Sequence, residues 1–380
     1  MKTRAAVLRE MGAARPYSES KPLEIVELEL EGPGPGEVLV EVGAAGLCHS
    51  DLSVIDGSRP RVMPMALGHE AAGEVVEIGP GVSSLTAGDH VVLAFVPACG
   101  SCGPCRTGRA ALCEPGAAAN GKGTLLSGAI RLEDPDGQPI YHHLGVSAFS
   151  DRIVVSERSA VKVPAELPFE VAALFGCAVL TGVGAATHSA AIEPGDSVAV
   201  FGLGGVGLAA VLGAVLSGAN QVVGVDPVDD KLALAERLGA SATVAAGPGA
   251  VEAVREATGG GAQVVIETVG SAAVLAEAYA ATGRGGRTVT VGLPHPDQML
   301  EIPAVSLVAE ERVLRGSYLG SCVPAEDIPR FVELHGAGKL PVDGLLTGTL
   351  ELDEINEGFE RLASGEAARQ AVVPTTQEKR

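Results

Sequence analysis

Ser197-Val198-Ala199-Val200-Phe201-Gly202-Leu203-Gly204-Gly205-Val206-Gly207 decides the fold of this chain. The first five residues predict a buried strand, the Gly-x-Gly-x-x-Gly run a tight turn, and the apolar residues after it a helix over 205–217. Gly202, Gly204 and Gly207 suit a turn that brings backbone N–H groups to a pyrophosphate at a helix N-terminus. Alone the motif is weak, because the chain has 51 glycines. Its context strengthens it. A second strand, Gln221-Val222-Val223-Gly224-Val225, ends at Asp226, 19 residues beyond Gly207. An acid there can accept hydrogen bonds from the adenosine ribose and repel a 2′-phosphate, so NAD is expected over NADP. Taken by itself, Asp226 is only a turn residue ahead of Pro227. The uncharged run 197–218 is long enough to span a bilayer. Its glycines at 202, 204, 205 and 207 favour strand, turn and buried helix instead.

Outward from this point the rhythm repeats. Strand candidates at 197–201, 221–225, 242–245, 263–266, 287–291 and 313–318 alternate with helix candidates at 205–217, 229–238, 249–257 and 271–282. That is the pattern of a doubly wound parallel sheet. The first ~180 residues differ. Leu23–Leu28, Glu37–Val42 and Glu74–Ile78 are short β-rich runs, separated by clusters such as Gly32-Pro33-Gly34-Pro35-Gly36. They predict a barrel-like β domain. After Cys322 the alternation stops, and helix candidates near 325–335 and 353–363 belong to a segment expected to fold back on the first domain. The expected organisation is therefore a β domain over 1–178, a dinucleotide domain over 179–320 and a completing segment over 321–380.

Bulk properties narrow the function. Lys and Arg total 27 against 47 Asp and Glu, a formal charge of −20, which argues against nucleic acid and anionic membrane as partners. Met1–Leu8 carries no long apolar stretch after its basic residues, so a cytoplasmic location is expected. The seven cysteines then read as metal ligands or thiols rather than disulfides. Four of them, Cys99, Cys102, Cys105 and Cys113, lie in a Gly/Pro-rich loop at a spacing that can close a tetrahedral structural zinc site. An iron–sulfur cluster is the rival occupant, but hydride transfer to a nicotinamide needs no electron relay. Cys48, Cys177 and Cys322 remain. Cys48 lies in Gly46-Leu47-Cys48-His49-Ser50-Asp51, Cys177 in Phe175-Gly176-Cys177, and Gly68-His69-Glu70 stands between them. Each has a bland reading as a core cysteine or a hydrogen-bonded histidine, and spacing alone does not connect them.

Taken together, these motifs resemble the zinc-containing medium-chain alcohol dehydrogenases, from about residue 5 to about residue 373. The anchors are Gly46–Asp51, Gly68–Gly73, the four-cysteine loop, Phe175–Cys177, Gly202–Gly207 with Asp226, and Ile355–Phe359. Residues 117–142 are similar to the insert of the longer, dimeric members. The resemblance implies a GroES-like β-barrel catalytic domain, a Rossmann domain and an active site in the cleft. It implies two zinc ions per chain: a catalytic one on Cys48, His69 and Cys177, the ligand set known for alcohol dehydrogenase, and a structural one on the four-cysteine loop. Glu70 matches an acid that approaches the metal during ligand exchange. Asp51 matches the carboxylate that orients the histidine ligand, and Ser50 the hydroxyl that takes the alcohol's proton. Thr181 and Val206 match residues that pack on the nicotinamide, Lys231 one near the adenosine ribose, and Arg369 one at the pyrophosphate. Phe95 and His143 fall where pocket-lining residues lie.

Four departures stand out. His49 replaces an arginine at the pyrophosphate. Ser53 stands where the terminal histidine of the proton relay is expected. His143 replaces an aromatic residue. Glu114-Pro115-Gly116-Ala117 lacks the arginine that glutathione-using members carry. The expected activity is hydride transfer between NAD and an alcohol, primary or aromatic alcohols favoured. Alternatives are a thiol-adduct-dependent formaldehyde dehydrogenase, a polyol dehydrogenase or, from another class, a non-catalytic zinc and dinucleotide binding module. A zinc-free quinone reductase of the same fold is excluded if the cysteines bind metal. Arg312–Tyr318, read as an edge strand, predicts a homodimer through pairing with its copy.

Overall fold

The computed structural model describes residues 1–374. The chain forms two units: Met1–Cys177 with Val323–Val332 and Leu346–Arg380, and Ala178–Cys322 with Glu333–Leu345.

In the first unit, Lys2–Leu8, Leu23–Leu30, Leu132–Glu133, Pro139–His142 and Met65–Ala66 close a barrel. A larger sheet runs in the order Ala160–Lys162, His90–Leu93, Ala71–Ile78, Glu37–Gly46, Gln370–Val373 and Gly348–Glu351. Alternation drives it: Val38, Val40 and Val42, every second residue of one strand, are buried in a core with Val75, Val91, Leu93, Phe149 and Phe359. Removing such a side chain from water contributes roughly 1.5–3 kcal/mol. Register places the strand ends. Ala45 pairs with Ala71, Ala71 with Leu93, and Ala371 with Gly46. The residues flanking these pairs therefore gather at one end of the sheet, although they are hundreds of positions apart in the chain.

The second unit carries six parallel strands in the order Ala242–Ala245, Gln221–Asp226, Ser197–Phe201, Ala262–Glu267, Thr282–Thr290 and Val313–Gly316. Helices Gly205–Leu216, Asp229–Arg237, Ala250–Ala257 and Ala272–Ala281 alternate with its first five strands. Ala199, Phe201, Val223, Val225, Val254 and Val265 share its core. The fifth strand begins at Thr282, earlier than its apolar core at 287–291 suggests, and the last is shorter than 313–318. The expectation of mostly strands and turns before residue 180 misses several helices, among them His49–Ile55, Glu114–Lys122 and one longer element. Phe169–Ser189 is a helix long and apolar enough to cross a membrane, but it is largely buried within the fold. Gly176, Gly182 and Gly184 disguise it, since glycine disfavours helix interiors; here a Cβ on any of them would meet a neighbouring segment.

Candidate active site

Cys48 and His69 flank strands of the sheet at the gathered end, and Cys177 reaches it from a helix. Strand Glu37–Gly46 leads through Leu47 to Cys48, which opens helix His49–Ile55. Gly68-His69-Glu70 runs directly into Ala71–Ile78, and the Gly46 N–H donates to the Glu70 carbonyl at 2.8 Å. Cys177 sits in a π-helical turn, Phe175–Val179. Its neighbour Gly176 lies so close to the Leu93 carbonyl that any Cβ would overlap it, which explains the glycine before the cysteine. The Cys48 and Cys177 sulfurs and a His69 ring nitrogen lie within 4.8 Å of one another, all buried.

The His69 ring is held from behind. Its Nδ1 lies 2.9 Å from Asp51 Oδ2, and both side chains are buried. Its Nε2 is buried with no hydrogen-bond partner. A buried, unpartnered imidazole nitrogen beside two thiols has the environment of a metal ligand. Two sulfurs and one nitrogen leave the fourth tetrahedral position for a small molecule. The donor set therefore fits a catalytic zinc.

The buried charges of this set act strongly on one another. Burial opposes ionisation of Asp51, but His69 and His143 outweigh it and hold the carboxyl well below its usual range. Burial also opposes charge on His69, yet Asp51 and the Cys48 thiolate raise it well above its ordinary value. The bond from Cys177, with the charge of His69, makes the Cys48 thiol strongly acidic despite its burial. Cys177, pressed by Cys48 and then by burial, is pushed up. Glu70 is raised by burial, which Arg369 only partly offsets. Arg369 forms a close ion pair with Glu70 and donates to the Leu47 carbonyl at 2.9 Å. Expected at a pyrophosphate, Arg369 is a buried partner of the first site in this structure.

Phe95 stands edge-on to His69 with ring centres 5.4 Å apart, and His143 does so at 5.5 Å. His143 is not only a neighbour: its Nδ1 lies 2.9 Å from Asp51 Oδ1. Nothing local in the sequence signals that contact. Ser50 is half-buried and His49 exposed, in the first turn of helix His49–Ile55. The Ser53 hydroxyl donates to the His49 carbonyl at 2.7 Å.

A second cluster in the same unit brings the sulfurs of Cys99, Cys102, Cys105 and Cys113 within 4.8 Å. Backbone N–H groups aim at them: Cys99 at Cys113 Sγ at 3.2 Å, Cys102 at Cys99 Sγ at 3.3 Å. The Ser101 N–H leads in lowering Cys99 to about 6, while burial pushes Cys105 up to about 12. Four sulfurs this close, with no open position, fit a structural zinc, whose charge would hold them as thiolates.

The dinucleotide candidates form their own site in the second unit. Gly202 has φ +88°, and a Cβ on Gly207 would overlap the Gly202 carbonyl, so both positions require glycine. Helix Gly205–Leu216 starts there, with Gly204 as its cap. Asp226, at the end of the adjacent strand, accepts from the Leu203 N–H at 2.8 Å and the Val228 N–H at 3.0 Å. It thus ties the glycine turn to the second strand and keeps lone pairs for ribose hydroxyls. Thr268 escaped the sequence reading. Its hydroxyl donates to the Gly202 carbonyl at 2.9 Å, and only the parallel pairing of Phe201 with Glu267 brings it there. Thr181 has a buried, unpartnered hydroxyl. The next residue, Gly182, packs on the Val206 carbonyl. Lys231 is half-buried in helix Asp229–Arg237.

A GroES-like unit with an open Cys–His–Cys site, joined to a Rossmann unit, defines the zinc-dependent medium-chain dehydrogenases. The chain belongs to that family: residues 34–165 match the alcohol dehydrogenase GroES-like domain and residues 205–336 the zinc-binding dehydrogenase domain. A Mycobacterium tuberculosis protein named as alcohol dehydrogenase D is 41% identical over 98% of this chain and 100% of its own. An S-(hydroxymethyl)glutathione dehydrogenase of Paracoccus denitrificans is 38% identical over 98% and 100%. The solved benzyl alcohol dehydrogenase of Acinetobacter calcoaceticus is 32% identical, with a TM-score of 0.89 over 99% of this chain and 100% of that one. The chain is accordingly a zinc-dependent oxidoreductase of the alcohol dehydrogenase type.

Proposed function

We propose that the enzyme oxidises primary or aromatic alcohols to aldehydes with NAD, and reduces the aldehydes in return. The observation that carries this reading is the buried Cys48–His69–Cys177 set, with its unpartnered His69 Nε2 and its open fourth position. Cys48, His69 and Cys177 would hold a zinc that would supply a Lewis acid to lower the alcohol's pKa, with a bound nicotinamide as the hydride acceptor. The protein's own groups do the remaining work. Asp51 keeps the hydrogen of His69 on Nδ1, so that Nε2 presents its lone pair. Ser50 takes the alcohol's proton. The Ser53 hydroxyl, engaged with the His49 carbonyl, cannot hold a proton near neutral pH, so the proton leaves from this helix end to water or to His49.

Asp226 supports NAD over NADP, since its carboxylate repels a 2′-phosphate. The two clusters support two zinc ions per chain. A reducing, cytoplasmic setting is part of the same reading, because the cysteines of both clusters must stay reduced to hold metal. The edge strand Val313–Gly316, with Val305 and Val308 exposed on the helix before it, supports a homodimer. Light scattering at micromolar concentration should show twice the chain mass, and a monomer or a stable tetramer would exclude that assembly.

The benzyl alcohol dehydrogenase similarity favours aromatic substrates. The glutathione-dependent relative keeps formaldehyde with glutathione as a second reading, which Glu114–Ala117 disfavours because it carries no arginine. A panel of primary, secondary, aromatic and polyol substrates and formaldehyde with glutathione, read by NADH absorbance with NAD and with NADP, tests the reading. It fails if only the thiol adduct or only polyols turn over.

A further inference from the structure

Asp51 is fully buried, and its carboxylate faces three polar groups from two segments, Gly68–His69 and His143. Oδ2 faces His69 Nδ1 at 2.9 Å. Oδ1 accepts from the Gly68 N–H at 3.0 Å and lies 2.9 Å from His143 Nδ1. An ionised carboxylate only accepts, so both imidazoles must carry their hydrogen on Nδ1. The two donors on Oδ1 fix the rotation of the carboxylate, and that rotation sets where Oδ2 points.

His143 is placed with care. Strand Pro139–His142 pairs in parallel with Met65–Ala66, Ala66 opposite His142, so the two strands deliver His143 and Gly68–His69 side by side. The His143 N–H donates to Ser147 Oγ at 2.9 Å, and its side chain is 1% exposed. Two non-glycine residues just beyond it, Leu144 at φ 53° and Ser147 at φ 57°, adopt the disfavoured left-handed conformation. Such backbone persists only where the surroundings over-determine it. The ring also stands edge-on to His69, 5.5 Å away.

We propose that His143 is a positioning residue for the metal site: it donates from Nδ1 to Asp51 Oδ1 and so holds Oδ2 in line with His69 Nδ1, keeping His69 Nε2 aimed between Cys48 and Cys177. This rests on the reading of those three residues as zinc ligands. It gives His143 a role beyond lining a pocket, and one that does not depend on which alcohol is used.

The test compares the zinc-loaded wild type with His143→Asn and His143→Gln. The asparagine amide nitrogen falls where Nδ1 stands; the glutamine amide falls where Nε2 stands and does not reach Asp51. The readout is the rate of zinc transfer to an excess of the coloured chelator 4-(2-pyridylazo)resorcinol, with Cys48→Ser identifying the phase that belongs to this site. Losing an outer hydrogen-bond partner typically costs about 10–100-fold in metal affinity, so His143→Gln should release this zinc faster by about that factor. His143→Asn should stay near the wild-type rate, and both should melt close to wild type. Equal release from His143→Gln and wild type, or from the two variants, overturns the proposal. If elemental analysis finds no second zinc in the wild type, the metal-site reading fails and the proposal with it.

Discussion

Arg369→Ala leaves a carboxylate in the fold without its cation. Glu70 is fully buried and Arg369 is 3% exposed, so water replaces little of what the guanidinium supplies. Breaking a buried pair by removing one partner costs about 3–5 kcal/mol. A second route to the magnitude is protonation. Burial already raises Glu70, and Arg369 is the first of the influences holding it down, so removing Arg369 drives Glu70 further toward its neutral form. Taking a proton at pH 7 against an ordinary carboxyl value near 4.3 costs about 3.7 kcal/mol, at about 1.36 kcal/mol per unit. The two estimates agree. A folded-state pKa above the unfolded one gives stability that is present below the unfolded value and lost as pH rises. The deficit should therefore grow with pH, toward a ceiling of about 3.7 kcal/mol at pH 7 that applies where the wild-type Glu70 is ionised. For a unit of roughly 200 residues each kcal/mol moves Tm by about 2–4 °C, so the melting point at pH 7 should fall by about 7–15 °C. The assay is scanning fluorimetry of both proteins at about pH 5.5 and pH 7, with zinc content measured in each. Glu70→Gln in the Arg369→Ala background should recover part of the loss and flatten its pH dependence. A fall of under about 2 °C at pH 7, or a deficit that shrinks as pH rises, would refute the reasoning.

Other outcomes rest on the same structure. Cys102→Ser opens the closed four-sulfur cluster, so it should lower Tm and shed one zinc while the other site stays filled, read by elemental analysis and melting. Asp226→Ser should narrow the kcat/KM preference for NAD over NADP; a wild type that already prefers NADP would show the role of Asp226 to be misread. Ser50→Ala should cost about 10²–10⁴-fold in kcat for oxidation, as loss of an acid–base group does. Ser53→Ala should cost under about tenfold, because water replaces a relay that does not titrate, and a hundredfold loss would make Ser53 essential.

What the sequence made legible was local. Gly202, Gly204, Gly207 and Asp226 could be read because a strand, a turn and a second strand succeed one another within 30 residues. The four-cysteine loop was legible for the same reason. Cys48, His69 and Cys177 were joined by resemblance rather than spacing, since only the register of Ala45 with Ala71 and of Ala71 with Leu93 brings them together. Arg369 meets Glu70 because Gln370–Val373 inserts beside Gly46, a pairing that no local pattern announces. The helix Phe169–Ser189 was missed because its glycines count against helix until the segments they pack on are known. His143 shows the same limit: a second histidine on Asp51 depends on one parallel strand pair.

The central claim is that Cys48, His69 and Cys177 hold a catalytic zinc distinct from the zinc of the four-cysteine loop. The direct measurement is zinc per chain by elemental analysis in wild type and Cys48→Ser, beside NAD reduction with benzyl alcohol. The account predicts two zinc ions in the wild type and one in the variant. Melting should be little changed, and turnover should fall by roughly a thousandfold or more, as expected when several kcal/mol of Lewis-acid stabilisation are lost. A fully active wild type with one zinc or fewer, or a Cys48→Ser protein that keeps both its zinc and its turnover, would contradict it.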